Sequence, residues 1–172
     1  PGLPFQSGKR GSRLNRLVLV RHAKSDWKNA ALRDFDRPLN KRGLRDAPRM
    51  AGELDRKGIR PDRILTSPAN RALSTARLMA GVFGYPEEGI LEIPDFYLAD
   101  TGDLAHRVEQ IPASVKTAFL FAHNPGISLF ASYLTGKEIS MPTCSVVVLD
   151  MTNGWHHPAA EEFLILRPKD FH

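Results

Sequence analysis

Cysteine is almost missing from this 172-residue chain. With Cys144 alone no internal disulfide can form, which fits a reducing compartment, and its place at the edge of an apolar run marks it as structural. No apolar stretch approaches the roughly 20 residues that span a bilayer, and the first residues lack the apolar centre of a secretory signal. A cytoplasmic location and no membrane association are expected. Patterns for binding metal are missing too. There is no His-x-x-x-His, no cysteine pair and no carboxylate cluster near His22, so neither a metal nor another cofactor is expected. His156 and His157 are adjacent in a Gly-Trp-His-His-Pro turn and would face opposite ways, His106 falls in mid-helix and His172 is terminal.

Acidic residues are absent from residues 1–16, which hold Lys9, Arg10, Arg13 and Arg16. Four of the five net positive charges therefore lie there, and the remainder of the chain is nearly neutral. Residues 1–15 read as a basic, flexible leader and 16–172 as a single domain of a size that buries most of its unfolded surface. Nucleic acid is not expected as a partner. Gly8-Lys9-Arg10-Gly11-Ser12 superficially suggests a phosphate loop, but it precedes the first strand and has the wrong spacing.

From residue 16 onward, short apolar runs alternate with helical periods, the pattern of an α/β protein. Strands are predicted at 16–21, 62–66, 118–122, 145–150 and 162–166, with a weaker one at 90–93. The last two long ones, separated by Thr152-Asn153-Gly154, are predicted to form an antiparallel edge on a mostly parallel sheet between two helical layers. A first helix between Asn40 and Lys57 would bury Leu44, Ala47, Ala51 and Leu54. Its start is ambiguous, because an Asn40 cap leaves Pro48 in the interior whereas an Asp46 cap puts Pro48 in the first turn. A second takes Ser67 as cap and Pro68 as first residue, turns Ala72, Ala76, Met79 and Phe83 inward, and stops at Gly84. A third follows Thr101 and carries Leu104, Val108 and Ile111, and a fourth opens with Asn124 as cap and Pro125 at the first position.

Three predicted strands then deliver polar groups to one sheet edge: Arg21 and His22 after the first, Ser67 and Arg71 after the second, His123 and Asn124 after the third. Arg71 sits one turn inside its helix and can reach back over that edge, since helical side chains lean toward the N-terminus. Two arginines, two histidines and two helix starts describe a pocket for a dianion such as a phosphoryl group. A strand-end Arg or His alone is usually structural; the three pairs together are what point to a site.

With these residues in place, the chain resembles the histidine phosphatase superfamily, the phosphoglycerate mutase-like fold. Arg21-His22 is similar to its signature, Ser67-Pro68 with Arg71-Ala72 and Thr75-Ala76 to its second phosphate-binding motif, and His123 to its second histidine. The short length, Arg-His-Ala-Lys-Ser and Asp46-Ala47-Pro48-Arg49-Met50 are most similar to the SixA-type phosphohistidine phosphatase branch. The resemblance implies a three-layer α/β/α sandwich and a metal-independent phosphatase. In it neutral His22 takes up the phosphoryl group, while Arg21, Arg71 and a protonated His123 hold its oxygens, with Ser25, Ser67 and Asn124 as further substrate-binding residues. The chain departs from mutase-type members in having Lys28 six places after the nucleophile and no clear acid after the fourth strand; Asp100 or Asp103, at the start of the third helix, is the candidate general acid. Lack of a strong acid favours imidazole over an alkoxide as leaving group. The expected substrate is a phosphorylated partner, a phosphohistidine-bearing protein in the first instance, reached through a shallow, lidless site. The alternatives are a small-molecule phosphomonoesterase and a phosphate-dependent binding protein with little turnover.

Overall fold

The computed structural model describes residues 14–171. The basic residues Lys9, Arg10 and Arg13 of the expected leader, the Gly8–Ser12 segment and His172 lie outside the described residues. Six strands form one sheet: β1 (Asn15–Arg21), β2 (Arg63–Thr66), β3 (Ile90–Glu92), β4 (Thr117–Ala122), β5 (Val146–Met151) and β6 (Ala160–Leu166). Their order is β3-β2-β4-β1-β5-β6, parallel from β3 to β1, with β5 antiparallel to β1 and β6 antiparallel to β5. The sheet and its antiparallel edge are as the sequence predicts. β1 begins one residue earlier than expected, because Asn15 pairs with Met151 and its side-chain amide donates to the Val115 carbonyl.

Four helices cover the sheet: α1 (Lys41–Arg56), α2 (Asn70–Phe83), α3 (Thr101–Glu109) and α4 (Gly126–Thr135). Leu17 to Val20 of β1 are wholly buried, with Val18 and Val20 packed against α1 and α2 and Leu17 and Leu19 against α3 and α4. That coverage explains why the strand reads as an unbroken apolar run instead of an alternating one. The chain leaving β1 runs into α1 on one face, and the chain leaving β4 into α4 on the other. Adjacent parallel strands whose connections part in this way open a crevice at their carboxyl ends.

Local signals settle the helix starts, with corrections. Asn40 caps α1, accepting from the Gly43 N–H at 2.9 Å, and Pro48 does lie inside the helix. Asp46 is no cap; it is buried and paired with Arg42 and Arg45. Leu44, expected inside, is 52% exposed, and the buried stripe runs through Gly43, Ala47, Met50, Ala51 and Leu54. Gly43 sets this rotation, since a Cβ there would collide with the Lys24 carbonyl. α2 starts at Asn70, later than expected, because the Ser67 hydroxyl accepts from Ala69 N–H in a local turn instead of capping a helix. It ends at Gly84 as predicted, in the left-handed conformation. Ala72, Ala76 and Met79 are buried, and Phe83 is half-buried edge-on to Phe119. In α3, Leu104 and Val108 face the core, while Ile111 packs just past the helix end. Asn124 does not cap α4. Pro125 holds that position, and the Asn124 side chain instead donates to the Met141 carbonyl and accepts from Ser128.

Gly43→Ala is expected to destabilise the fold by about 1–3 kcal/mol, the usual cost of forcing a methyl group into a filled site. Urea denaturation checks this; an unchanged midpoint would mean that the α1 approach to Lys24 is slack.

Candidate active site

The carboxyl ends of β1, β4 and β2 lie side by side, with Arg21 paired to Ala122 and Thr66 to Phe121. The residues that follow therefore meet. His22 and His123 have ring centroids 5.2 Å apart, and with Arg21, Arg71, Ser25 and Asn124 they line a cleft of about 280 Å³. Ser67 lies beneath, fully buried, its hydroxyl 2.8 Å from His123 Nε2. The histidines form the floor, while Trp27 and Leu98 stand exposed at the mouth.

Backbone contacts hold this floor. The N–H of Cys144, a buried residue with φ 60°, donates to the carbonyls of both Arg21 and His22. Burial pushes the Cys144 thiol pKa up, keeping it protonated. The Thr75 hydroxyl accepts from Ala23 N–H at 2.9 Å and donates to the Arg71 carbonyl at 2.7 Å, tying the loop after His22 to the helix that carries Arg71. Arg21 donates to the Met141 carbonyl, the same acceptor that Asn124 uses.

The tautomers follow from these partners. His22 Nδ1 is 2.8 Å from the Ala23 carbonyl, which can only accept, so the proton is on Nδ1 and Nε2 keeps a free lone pair. Among the described residues the Ser67 hydroxyl has no acceptor for its proton other than His123 Nε2, so it donates there and His123 Nδ1 carries the ring proton. Among the described residues, three buried side-chain nitrogens have no hydrogen-bond partner: Arg21 Nε, Arg71 Nε and His123 Nδ1. All belong to residues of this one cleft. Buried donors are rarely left unpaired, and three around a cationic hollow define a place for an anion with several acceptor oxygens.

Sequence reasoning missed Asp34, Arg37 and Tyr97. Asp34, in a short 3-10 turn (Asp34–Asp36), accepts from Arg71 and Tyr97 on one carboxylate oxygen and from Arg37 on the other, while its carbonyl takes a second Arg71 bond at 2.8 Å. Arg37 is buried, donates to the Ser25 hydroxyl and lies 3.5 Å from the Trp27 ring centroid. It borders the cleft as a third guanidinium. The available signal was Asp34-Phe35-Asp36-Arg37-Pro38, a charged loop ending in a turn-forming dipeptide between β1 and α1. Asp100 and Asp103, the expected acid candidates, lie elsewhere: each side chain accepts from the other's backbone N–H in a capping box on α3, and neither lines the cleft. His106 is exposed beside Gln110, and His156 and His157 are exposed in the β5–β6 turn.

Burial, together with the positive charges of Arg71, Arg21 and Arg37, lowers His22 to about 4. Burial, the neighbouring His22 and the arginines lower His123 to about 3. The protonated His123 expected from sequence is thus disfavoured, first because burial penalises its charged form and then because the neighbouring His22 and arginines repel a proton. For Asp34, partial burial is outweighed by hydrogen bonds from Tyr97 and Arg37 and by the charge of Arg71, which lower it to about 2. Among the described residues no three of His, Cys, Asp and Glu are placed to hold a metal ion. No helix among them is long and apolar enough to cross a membrane.

A sequence model of the histidine phosphatase superfamily (branch 1) matches residues 17–107. The chain belongs to this superfamily. It is 37% identical over 154 residues to an uncharacterized chloroplastic protein of Arabidopsis thaliana, covering 84% of this chain and 71% of the relative. Its fold is similar to a protein assigned as phosphohistidine phosphatase SixA of Agrobacterium tumefaciens, with TM-score 0.79 and 27% identity over 90% of this chain and 98% of that one. It is also similar to the protein histidine phosphatase SixA complexed with tungstate, with TM-score 0.82 and 17% identity, covering 91% and 99%. The chain is a histidine phosphatase of this superfamily, with the phosphoglycerate mutase-like fold.

Two outcomes are expected. Asp34→Ala should lower kcat for p-nitrophenyl phosphate by about 10- to 100-fold, since Arg71 loses the group that orients it, while inhibition by inorganic phosphate changes little. A parallel loss of phosphate affinity would instead make Asp34 part of the binding surface. Both histidines bind fewer protons folded than unfolded below their ordinary value near 6.5, so stability is lost as the pH is lowered. The loss between pH 7 and 5 is on the order of 2 kcal/mol for each. Urea midpoints at both pH values check this, and His123→Asn should reduce the slope.

Proposed function

We propose that the protein is a metal-independent phosphohistidine phosphatase that acts on a phosphorylated protein. His22 Nε2, with its lone pair free and its other nitrogen anchored, attacks phosphorus in line and forms the N–P bond as the bond to the leaving group breaks. Arg21, Arg71 and Arg37 hold the equatorial oxygens, and His123 Nδ1–H donates to one of them. A dianion in the cleft offsets the repulsion among these cations and raises the affinity of His123 for a proton, so phosphate binding itself draws His123 toward the cationic form. Water then attacks the phosphohistidine from the side the leaving group vacates, releasing inorganic phosphate and restoring neutral His22.

The observation that carries the substrate class is the lack of an acid. Among the described residues no carboxyl group lines the cleft, and Asp34, which reaches it through Arg37 and Arg71, is ionised and spent on them and on Tyr97. An alkoxide needs a proton as it leaves. Imidazole departs as a neutral base once its distal nitrogen is protonated, which bulk water supplies near its ordinary pKa. The open mouth between Trp27 and Leu98 admits a side chain that projects from a protein surface.

A phosphohistidine peptide should be turned over with kcat/KM about 10²–10⁴-fold above the matching phosphoserine peptide, the usual worth of a general acid, and in the presence of chelator. Equal rates would point to an undetected acid and a phosphomonoesterase; loss of activity in chelator would sink the metal-free route. His22→Ala should abolish covalent labelling by the phosphohistidine peptide and retain part of the phosphate binding.

A further inference from the structure

Beside the catalytic cleft lies a groove of about 650 Å³, sharing Lys24, Ser25 and Trp27 with the cleft wall. Its other walls carry Lys28, Lys41 and Arg42, with Asp26 as the single acid. Asp26 is engaged by the Lys28 backbone N–H, and Arg42 reaches the buried Asp46 at 3.5 Å. Among the described residues no carboxylate pairs with Lys24, Lys28 or Lys41. Apolar surface lies among these cations: Trp27 is 69% exposed and Leu44 52%. Arg42 also borders a smaller hollow lined by Arg167, Lys169 and Thr143, and Thr143 leads back to the cleft.

Two features set this groove apart from an ordinary solvated face. Lys41 and Arg42 occupy the first turn of α1, which holds no acid, the reverse of the charge placement that a helix dipole favours. Leu44 leaves the apolar stripe of its own helix to stand at the groove instead. Departures from local preference gather where function requires them.

We propose that the groove binds an acidic segment of the substrate protein adjoining the phosphorylated residue, a reading that rests on the protein-phosphatase function above. The cations are spread along an open groove instead of converging on one point, and apolar surface alternates with them. That suits a polypeptide with several carboxylates and an apolar side chain better than a second phosphate, which would be gripped by convergent, buried donors of the kind found in the cleft.

The test compares the wild type with the Lys28→Glu/Lys41→Glu variant, whose changes are exposed and outside the catalytic cleft. Probes are phosphohistidine peptides flanked by glutamates or by glutamines, p-nitrophenyl phosphate, a sugar bisphosphate, and the unphosphorylated glutamate-flanked peptide in a fluorescence anisotropy titration. The wild type should prefer the glutamate-flanked substrate, the preference weakening with salt. The variant should raise KM for that peptide by about tenfold or more, leaving p-nitrophenyl phosphate and the glutamine-flanked peptide unchanged. Absence of a wild-type preference, or an equal loss on both peptides, overturns the proposal; a loss confined to the sugar bisphosphate overturns it in favour of a small-anion subsite. If no phosphohistidine peptide is turned over but the unphosphorylated acidic peptide still binds and is released by the charge reversal, the groove stands and the proposed substrate falls.

Discussion

The site depends on holding three guanidinium groups at one end of a sheet without letting their repulsion undo the fold. Asp34 is the group that makes this possible. Its carboxylate joins Arg37 to Arg71 and its carbonyl takes the other half of the Arg71 fork, so one residue both offsets the charge and orients the guanidinium. Tyr97 completes the arrangement from the chain between β3 and α3. Arg21 has no carboxylate on it and leans on a backbone carbonyl instead, leaving its Nε for the ligand.

The electrostatics of the histidines follow from that cluster. Cut off from water and flanked by Arg71 and Arg21, both rings are held neutral at pH 7. On His22 the Ala23 carbonyl directs the lone pair to Nε2. His123 is held by the other nitrogen, Nε2, on the buried Ser67 hydroxyl, so the two rings share one field but differ in which nitrogen is anchored.

Much of this was readable along the chain. Leu17–Val20 announce a doubly covered strand, and the Arg-His, Ser-Pro-x-x-Arg and His-Asn motifs each follow an apolar run, so their convergence could be inferred from parallel topology. Helix starts were less legible, because Ser67 and Asn124 carry the side chains of good caps and use them elsewhere, on Ala69 and His123 in one case and on Met141 and Ser128 in the other. Leu44 misled for a related reason: it fits the helical period, but Gly43, having no Cβ, lets its own face of the helix pack against the Lys24 backbone and leaves Leu44 outside. Asp34 and Arg37 were invisible as a pair with Arg71, since nothing local relates a loop between β1 and α1 to a helix that begins more than thirty residues later.

By itself, then, the sequence determined the α/β class, the strands, the family and four residues that meet at the cleft, because hydrophobic periodicity and strand-end motifs are encoded within short windows. Only the tertiary structure decided which side chains complete that site, which nitrogen of each histidine is free, and that the expected acids Asp100 and Asp103 are occupied in capping a helix. Those outcomes depend on distances between segments far apart in the chain and on the shared electrostatic field of groups buried together, neither of which any local stretch of sequence contains.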